Sequence, residues 1–458
     1  MSAPAARPPR PGALTRAEAL RLAAAGALAL AAPSLAAAAP EAGEWPITAG
    51  DRRAHRFSPD PIGGLHERWR LELPGGAPGT PALVGGRAYA TSLGGTVAAV
   101  RLEDGRALWR RRFPTRRYGA NDYGFFTGPA VSGDHVVVAS DRVRCLDRRT
   151  GRTRWVGRRV GDPDEDVYFW GAPVVAGGLV LVGSGSGSES ARARGRVSAY
   201  ALADGRLRWS TPMVPKGANG GGVLAPVSVD EARGVVWAAT GSPYRTLPGD
   251  NPGTCALVEL SLRDGRVRWT DQVHPGDRRG LDLNSAPLLL GRLAVVTSKD
   301  GVYAWDRLVR RRLWRRQLTP ASARRGQPSG PQDGPEGGPI ATDGRRIYAL
   351  SNDAAAEAFT VAALRPSDGR VVWRRSLSGS VFAAPACSSR TLVVSSAFGP
   401  VYQMDAATGR GLDDGTLADA TSCAPAVGRG LVLAGTGAGR FLPGSSLVAL
   451  GRILPTSG

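Results

Sequence analysis

The chain has almost no lysine. Lys and Arg together number 59 among its 458 residues, and only Lys216 and Lys299 are lysines. A preference for arginine this strong is typical of a GC-rich genome, so a lysine that remains is informative. Lys299 stands in VVTSKDGVYAWD, directly before an Asp-Gly turn. The position is compatible with a solvated turn residue or with a side chain that has a specific task.

Cysteine and histidine are scarce, with four of each. The cysteines form no C-x-x-C or C-x-x-C-H motif, so no haem attachment site is recognisable and zinc has little support. In an exported protein they allow one or two disulfides, and the three full pairings cannot be told apart. The cysteines are Cys145, Cys255, Cys387 and Cys423. The histidines, best interpreted as surface or satisfied core residues, are His55, His66, His135 and His274.

A long apolar run is missing as well. The run LAAAGALALAA near the N-terminus is well under the ~20 residues of a membrane span, which argues against an anchor. It follows four arginines and precedes small residues in PSLAAAAPEAG. This order predicts a signal peptide over residues 1–39, cleaved near Ala37 to Ala39. We therefore expect an exported protein, periplasmic, in the cell envelope or extracellular, with no transmembrane anchor.

The net charge of +20 raises the question of nucleic acid. The arginines are scattered through RRRF, DRRTGRTR and RRRLWRRQ with Asp between them, and no groove-entering motif or stacking aromatic set accompanies them. We expect no nucleic-acid partner. The charge is compatible with weak association with acidic envelope polymers.

One pattern recurs along the chain. Short runs of Val, Leu and Ala lead to an Asp-Gly or Thr-Gly turn, and a Trp follows four residues after the Gly. Copies end at Trp109, Trp155, Trp209, Trp269 and Trp373; LVRRRLW keeps Trp314 without the Gly, and ATGRGLD puts Asp413 in the Trp slot. Such spacing predicts four-stranded antiparallel units of roughly 40 to 60 residues.

One such unit cannot bury both faces, so the units are expected to form a β-propeller. The C-terminal segment has inner strands and no final turn-Trp strand, whereas GLHERWRLEL, with Trp69, has only the final strand. Joined, they complete an eighth blade and close the ring. The predicted architecture is an all-β, eight-bladed propeller over residues 65–455 after a lead-in at 40–64, with seven blades as the alternative.

The repeat resembles that of the quinoprotein alcohol dehydrogenases, eight-bladed propellers that bind pyrroloquinoline quinone (PQQ), and among them the polyvinyl-alcohol-dehydrogenase-like proteins. The resemblance covers residues 45 to about 450 and includes LVLVGSGSGSESARARGRVSAYALADGRLRW, VVWAATGSPY, HPGDRRGLDLNSAP and VVTSKDGVYAWD in the family's order. It implies PQQ with Ca²⁺ beside it, and an oxidoreductase that acts on an alcohol. An Asp takes the hydroxyl proton, hydride passes to the quinone, and a Lys or Arg stabilises the developing oxyanion.

The resemblance assigns roles to individual residues. Glu189 falls on the calcium Glu, Lys299 on the basic residue at the quinone oxygens, and Asp277 or Asp282, with Asp282 favoured, on the catalytic and calcium-adjacent Asp. Two departures concern the cofactor. Ser242 replaces the calcium Asn, and Leu224 is nearest to the stacking Trp. No adjacent-cysteine pair or cytochrome segment is present, so electrons would leave to a separate acceptor.

Three functions remain open. The first is an exported quinoprotein-type oxidoreductase that acts on a small or polymeric alcohol. The second is a non-catalytic propeller that serves as a binding or assembly scaffold in the cell envelope. The third is an enzyme that uses the axial pocket without a quinone. The acidic residues and Lys299 favour the first function, whereas Ser242 and Leu224 favour the second.

Overall fold

The computed structural model describes residues 44–452 except 119–120, 163–164, 188, 191, 245–250, 284, 320–339 and 440–441. The predicted signal peptide lies outside the described residues. Strands β1 to β12 are Phe57–Ser58, His66–Glu72, Ala82–Val84, Arg87–Thr91, Thr96–Arg101, Ala107–Arg112, Arg116–Tyr118, Asn121–Tyr123, Ala130–Ser132, His135–Ala139, Val143–Asp147 and Thr153–Val156. Strands β13 to β24 are Val167–Tyr168, Val174–Ala176, Leu179–Ser186, Arg196–Ala201, Leu207–Pro212, Ser228–Asp230, Val235–Ala239, Ala256–Ser261, Val267–Gln272, Leu288–Leu290, Leu293–Ser298 and Gly301–Asp306. Strands β25 to β36 are Arg311–Arg316, Ile340–Thr342, Ile347–Asp353, Ala358–Leu364, Val371–Ser378, Ala386–Ser388, Thr391–Ser395, Pro400–Asp405, Gly411–Thr416, Ala426–Gly428, Leu431–Gly435 and Ser446–Gly451.

The strands form eight antiparallel blades, as the repeat predicts. Blades 1 to 7 are β3–β6, β9–β12, β14–β17, β18–β21, β22–β25, β26–β29 and β30–β33. In each blade the inner strands are almost entirely buried and rich in Val, Leu and Ala. The outer strand is largely exposed, and in every blade except blade 7 it carries arginine. This gradient places apolar surface between blades and charge on the rim, where it also protects the open edge of each sheet.

Blade 8 closes the ring with both ends of the chain. Strands β34, β35 and β36 are C-terminal, and β2 pairs with β36 as the outer strand. In that pairing Trp69 lies opposite Ala449. The prediction of a split eighth blade with Trp69 on its outer strand is therefore confirmed, and seven blades is wrong.

The repeated tryptophans join neighbouring blades. Six of them lie against the turn glycine of the next blade, whose φ is between +66° and +73°, and a Cβ on that glycine would approach the indole within 2.4–2.7 Å. The same six donate their indole N–H to a backbone carbonyl of that blade at 2.8–3.2 Å. The pairs are Trp69–Gly105, Trp109–Gly151, Trp155–Gly205, Trp209–Gly265, Trp314–Gly369 and Trp373–Gly409. Only glycine adopts this conformation without strain and leaves room for the ring.

The burial of the tryptophans is uneven. Trp109, Trp155 and Trp209 are buried, whereas Trp269, Trp314 and Trp373 are partly exposed, although all six lie on outer strands.

Two blade junctions depart from this pattern. Blade 5 has Arg310, at φ +56°, where the glycine would stand, so Trp269 of blade 4 has no such glycine to lie on. The Arg310 guanidinium instead pairs with Glu259 of blade 4 at 3.0 Å. Between blades 7 and 8, Asp413 occupies the tryptophan position and accepts the Leu65 backbone N–H at 3.0 Å. This is where β36 and β2 come from opposite ends of the chain, so no turn is present to receive a tryptophan.

The lead-in follows the inside of the ring, a course that the sequence did not predict. We call residues 45–60 the axial segment, because they form hydrogen bonds with residues on or directly after the innermost strand of every blade. These residues are, for blades 1 to 8 in turn, Leu83, Val131, Val175, Val229, Leu289, Thr342, Cys387 and Arg429. Innermost strands have a free edge toward the axis, and the axial segment satisfies their exposed polar groups there.

The four cysteines are all free and buried, so no disulfide contributes to the fold. Cys145 lies in blade 2 and Cys387 in blade 7, while Cys255 and Cys423 stand just before strands of blades 4 and 8. Within the described ranges, no helix has the length and apolar character needed to cross a membrane.

Candidate functional site

The topology of the blades brings the predicted site residues to one end of the propeller. In an antiparallel four-stranded blade, the connection from the second to the third strand and the connection to the next blade leave from the same end. Glu189, Ser242 and Lys299 lie in second-to-third-strand connections of blades 3, 4 and 5. Leu224 lies in the connection from blade 3 to blade 4, and Asp277 and Asp282 lie in the next one. Three consecutive blades therefore contribute to one region, which we call the site end.

Asp282 and Lys299 form an ion pair there. Lys299 Nζ donates to Asp282 Oδ2 at 2.9 Å, and the Ser242 backbone N–H donates to Asp282 Oδ1 at 2.6 Å. The side chains of Lys299 and Asp282 are 16% and 15% exposed. Burial by itself would raise the pKa of the Asp282 carboxyl, but the Lys299 charge and the two hydrogen bonds outweigh it and hold this pKa below its ordinary value. Asp282 is therefore a carboxylate at neutral pH.

Asp277 has a different environment. Its Oδ2 accepts the Ser242 hydroxyl at 3.0 Å and the Leu281 backbone N–H at 2.9 Å, and its Oδ1 accepts the Arg279 N–H at 3.0 Å. These bonds hold the connection that carries Asp282. Of the two candidate carboxylates, Asp282 lies against Lys299. Asp277 instead accepts hydrogen bonds from the Ser242 side chain and from backbone N–H groups.

Backbone pairing fixes the position of Asp282. Leu283 forms a bridge with Ser298, the last residue of β23, and its N–H donates to Thr240 O at 3.2 Å. The Ser298 hydroxyl also donates to Leu281 O at 3.2 Å. Asp282 is thus held from both sides by the ends of two blades, and Ser298 is the direct neighbour of Lys299. The pair is preorganised by backbone structure and does not depend on long side chains alone.

His274 and Asp300 support the turn that carries Lys299, and the sequence did not single them out. His274 Nε2 lies 3.1 Å from Ser298 Oγ and 3.3 Å from Asp300 Oδ1. Asp300 also accepts the Tyr303 hydroxyl at 2.9 Å and Arg315 at 3.0 Å. Burial opposes the ionisation of Asp300, but these partners lower its pKa to about 2. Ser298 and Asp300, the two neighbours of Lys299, are therefore both held in place by hydrogen bonds.

Three glycines lie beside this pair, and neighbouring side chains fill the space where their Cβ atoms would stand. A Cβ on Gly241 would stand 3.0 Å from Asp282 Oδ1, and Cβ atoms on Gly185 and Gly222 would stand 2.5 and 2.8 Å from Tyr244 Oη. A Leu224 methyl lies 3.2 Å from the Gly222 position and 3.6 Å from the Gly185 position. We call Gly185, Gly222 and Gly241 the glycine cradle. A side chain on any of them would intrude on Tyr244 or Asp282.

Glu189 approaches the same region from blade 3. The residue is exposed, and its backbone has φ +52°, a conformation that non-glycine residues seldom adopt. Burial raises the pKa of Tyr244, and the negative charges of Glu189 and Asp282 raise it further. The charges of Glu189 and Asp282 therefore both raise the pKa of Tyr244, so Glu189 belongs to the same region as the Asp282–Lys299 pair.

A metal site is not complete in the described part of the chain. No group of three or more His, Cys, Asp and Glu side chains there could hold a metal ion. The Ser242 hydroxyl donates to Asp277 and lies 3.6 Å from the buried Cys255 thiol. The ligands Glu189, Ser242 and Asp282 that the resemblance implies for calcium remain a prediction.

Comparisons with known proteins agree with this architecture. A polyvinylalcohol dehydrogenase from Pseudomonas sp. is 26% identical over 381 residues, which cover 69% of this chain and 57% of that protein. A quinohemoprotein alcohol dehydrogenase, ADH IIB from Pseudomonas putida, is 28% identical over 280 residues, with coverage of 51% and 40%. The chain thus spans 57% and 40% of the lengths of these relatives.

The crystal structure of a quinohemoprotein alcohol dehydrogenase from Comamonas testosteroni has the same fold, with a TM-score of 0.74 at 18% identity over 91% of this chain and 82% of that one. The sequence profile of the PQQ_2 family, described as outer membrane protein assembly factor BamB, matches residues 66–307 and 298–450. These two matches cover nearly the whole propeller, and the chain therefore belongs to the PQQ_2 family.

Proposed function

We propose that the chain is an exported quinoprotein-type oxidoreductase that removes hydride from an alcohol. The observation that carries the proposal is the preorganised Asp282–Lys299 pair beside the glycine cradle. A carboxylate and an ammonium group held together by backbone structure supply a base and an oxyanion-stabilising charge in one place. The relatives named as alcohol dehydrogenases support this interpretation.

Asp282 would take the proton of the substrate hydroxyl. A bound quinone would supply the electrophilic carbonyl that accepts the hydride. In the pair, Lys299 lowers the basicity of Asp282, because it stabilises the carboxylate. When Lys299 turns toward a ligand oxygen, Asp282 loses that stabilisation and becomes the stronger base. Lys299 would then stabilise the negative charge that develops on the ligand oxygen as hydride arrives.

We propose that a flat ligand lies against the side chains that pack on the glycine cradle. Because Gly185, Gly222 and Gly241 have no side chains, Leu224, Tyr244 and Asp282 approach the backbone there closely. Leu224 would cover one face of a quinone by apolar contact, without the aromatic stacking that contributes about 1 kcal/mol. The resident group that we propose is PQQ, with Lys299, Glu189 and Leu224 as its contacts.

A calcium ion is the second group that we propose. Ca²⁺ takes six to eight oxygen ligands, and carboxylates are among those it prefers. Glu189 and Asp282 would provide carboxylates, and Ser242 a neutral oxygen on a shorter arm than asparagine. Such a site would depend on water for the remaining ligands, and we expect it to bind calcium weakly.

The sequence also supports proposals for the location of the protein, its substrate and its electron acceptor. The signal peptide predicts a periplasmic, cell-envelope or extracellular location. A small or polymeric alcohol would enter at the site end, and the electrons would pass to a separate acceptor, since the chain has no haem attachment motif. The basic rim is compatible with weak association with acidic envelope polymers.

A non-catalytic scaffold is the second candidate. Ser242 and Leu224 stand where the resemblance expects an Asn and a Trp, and neither supplies the amide oxygen or the aromatic ring that the cofactor would use. The description of the matching family profile names an assembly factor and not an enzyme. An enzyme that uses the axial pocket without a quinone stays as a third candidate.

The experiment is an assay with PQQ, Ca²⁺, a panel of alcohols and an artificial electron acceptor. We expect wild-type protein to reduce the acceptor and Asp282→Asn to bind the quinone without turnover. Lys299→Ala should mainly lower kcat, because its charge matters most when hydride arrives. Glu189→Ala should abolish the calcium dependence. Absence of turnover with every alcohol, together with absence of quinone binding, would favour the scaffold.

A further inference from the structure

Tyr244 occupies the centre of the site end, although the sequence did not assign it a role. It follows Ser242 by two residues, and its hydroxyl oxygen accepts the Ser186 backbone N–H at 3.0 Å. The hydroxyl lies between Gly185 and Gly222, where Cβ atoms would approach it within 2.5 and 2.8 Å. Both glycines are therefore needed to admit the phenol.

No residue in the described part of the chain accepts the proton of this hydroxyl. Within the described ranges, the bond from Ser186 is the hydrogen bond that Tyr244 makes, and it is one in which the oxygen accepts. A phenol is protonated at neutral pH, so the hydroxyl remains a donor. A buried O–H without an acceptor is costly, so such groups usually have a partner.

Other buried tyrosines show the contrast. Tyr168 donates to Gly124 O and Tyr200 to Arg158 O, each at 2.8 Å, and both rings are fully buried. Their protons are satisfied by the fold. Tyr244 differs in that its side chain is partly exposed at the site end and its proton is left for another molecule.

We propose that Tyr244 is a ligand-binding residue that donates its phenolic proton to a carbonyl or carboxylate oxygen of the molecule held over the glycine cradle. The proposal rests on the proposed function for the identity of that molecule, a quinone that carries such oxygens. Lys299 and Tyr244 would then contact the ligand from two different blades, Lys299 with a full charge and Tyr244 with a neutral donor. The second donor would add a contact to a site in which Ser242 and Leu224 stand where the resemblance expects an Asn and a Trp.

The test compares Tyr244→Phe with Tyr200→Phe by calorimetric titration of PQQ at pH 7, with and without Ca²⁺. Phenylalanine keeps the ring and removes the donor. We expect Tyr244→Phe to weaken binding about tenfold, the effect of about 1.4 kcal/mol, and Tyr200→Phe to leave it unchanged. Circular dichroism of both variants checks that each is folded.

The outcomes separate the two proposals. Equal affinity of Tyr244→Phe and wild type would overturn the role of Tyr244 and leave the proposed function standing. Weakening of the same size in Tyr200→Phe would also overturn it, because the effect would then come from general loosening. Wild-type protein that binds no quinone at all would overturn both.

Discussion

Lys299 Nζ and Asp282 Oδ2 lie 2.9 Å apart, although the two residues are 17 positions apart in the chain and two strands lie between them. One residue is carried by the turn between two strands of blade 5, and the other by the connection that enters the same blade. Ser298 pairs with Leu283, so the backbone brings the two side chains together. One of only two lysines in the chain is thus used to neutralise a buried carboxylate.

Replacing Lys299 should show how much the Asp282–Lys299 ion pair contributes to the stability of the protein. Lys299→Met should lower the free energy of unfolding at pH 7 by about 2–3 kcal/mol, because it leaves Asp282 buried without its counter-charge. A carboxyl with a depressed pKa contributes stability above its unfolded pKa and loses it as pH falls through the folded pKa. The difference from wild type should therefore shrink below pH 3.8, the ordinary value. Urea unfolding of wild type and Lys299→Met at pH 7 and pH 3 measures this difference in the free energy of unfolding.

The other lysine is the control for this prediction. Lys216 is exposed, and Lys216→Met should change the free energy of unfolding by less than about 0.5 kcal/mol. A loss in Lys299→Met that is equally large at both pH values would mean that packing, and not charge, holds Asp282.

The axial segment contains a second titrating pair. His55 Nδ1 lies 2.7 Å from Asp51 Oδ2, and His55 Nε2 lies 2.9 Å from Leu289 O. Burial and the charge of Arg53 lower the pKa of His55, but Asp51 and Leu289 together outweigh them and raise it above 6.5. A group with a raised folded pKa contributes stability below its unfolded pKa, and this stability is lost as pH rises through the folded pKa.

Wild-type protein should therefore lose stability from about pH 6.5 upward, and His55→Asn should show a flatter profile over the same range. The measurement is the urea midpoint at pH 6, 7, 8 and 9. His66→Asn, at an exposed position, is the matched control and should follow wild type. Identical slopes for His55→Asn and wild type would contradict an ionic role for the pair.

Blade junctions should differ in strength. Trp209 is buried against Gly265 and donates to Leu262 O, so Trp209→Ala should lower the free energy of unfolding by about 3 kcal/mol or more. Trp269 is partly exposed, and Arg310 stands where the next blade would have its glycine, so Trp269→Ala should cost clearly less. Equilibrium unfolding in urea compares the two variants. Equal losses would show that contact with the glycine adds nothing to the junction.

The sequence predicted most of the fold, because the repeat combines a short-range strand pattern with a turn whose chemistry is distinctive. The split eighth blade followed from the position of Trp69. The course of the axial segment could not be predicted, since six of its eight bonds to the blades join backbone groups and leave no pattern in side chains. Disulfides were left open, and the fold separates the four cysteines.

The site was predicted in part. Strand order alone implies that Glu189, Asp282 and Lys299 lie at one end of the propeller. The choice between Asp277 and Asp282 depends on which carboxylate faces Lys299, and this is a matter of backbone geometry. Tyr244 and His274 were not singled out, because their contacts are with residues from other blades. The pair of glycines, Gly185 and Gly222, was the available signal for Tyr244, but it becomes recognisable only in three dimensions.

Calorimetric titration of the purified mature chain with PQQ and Ca²⁺, followed by thermal unfolding of the mixture, tests the central claim most directly. We predict heat of quinone binding and a raised unfolding temperature, and we expect Tyr244→Phe to need about tenfold more quinone for both effects. Absence of heat and of a thermal shift in wild-type protein would contradict the quinoprotein account. The Asp282–Lys299 pair would then be a structural feature of a propeller that binds something else.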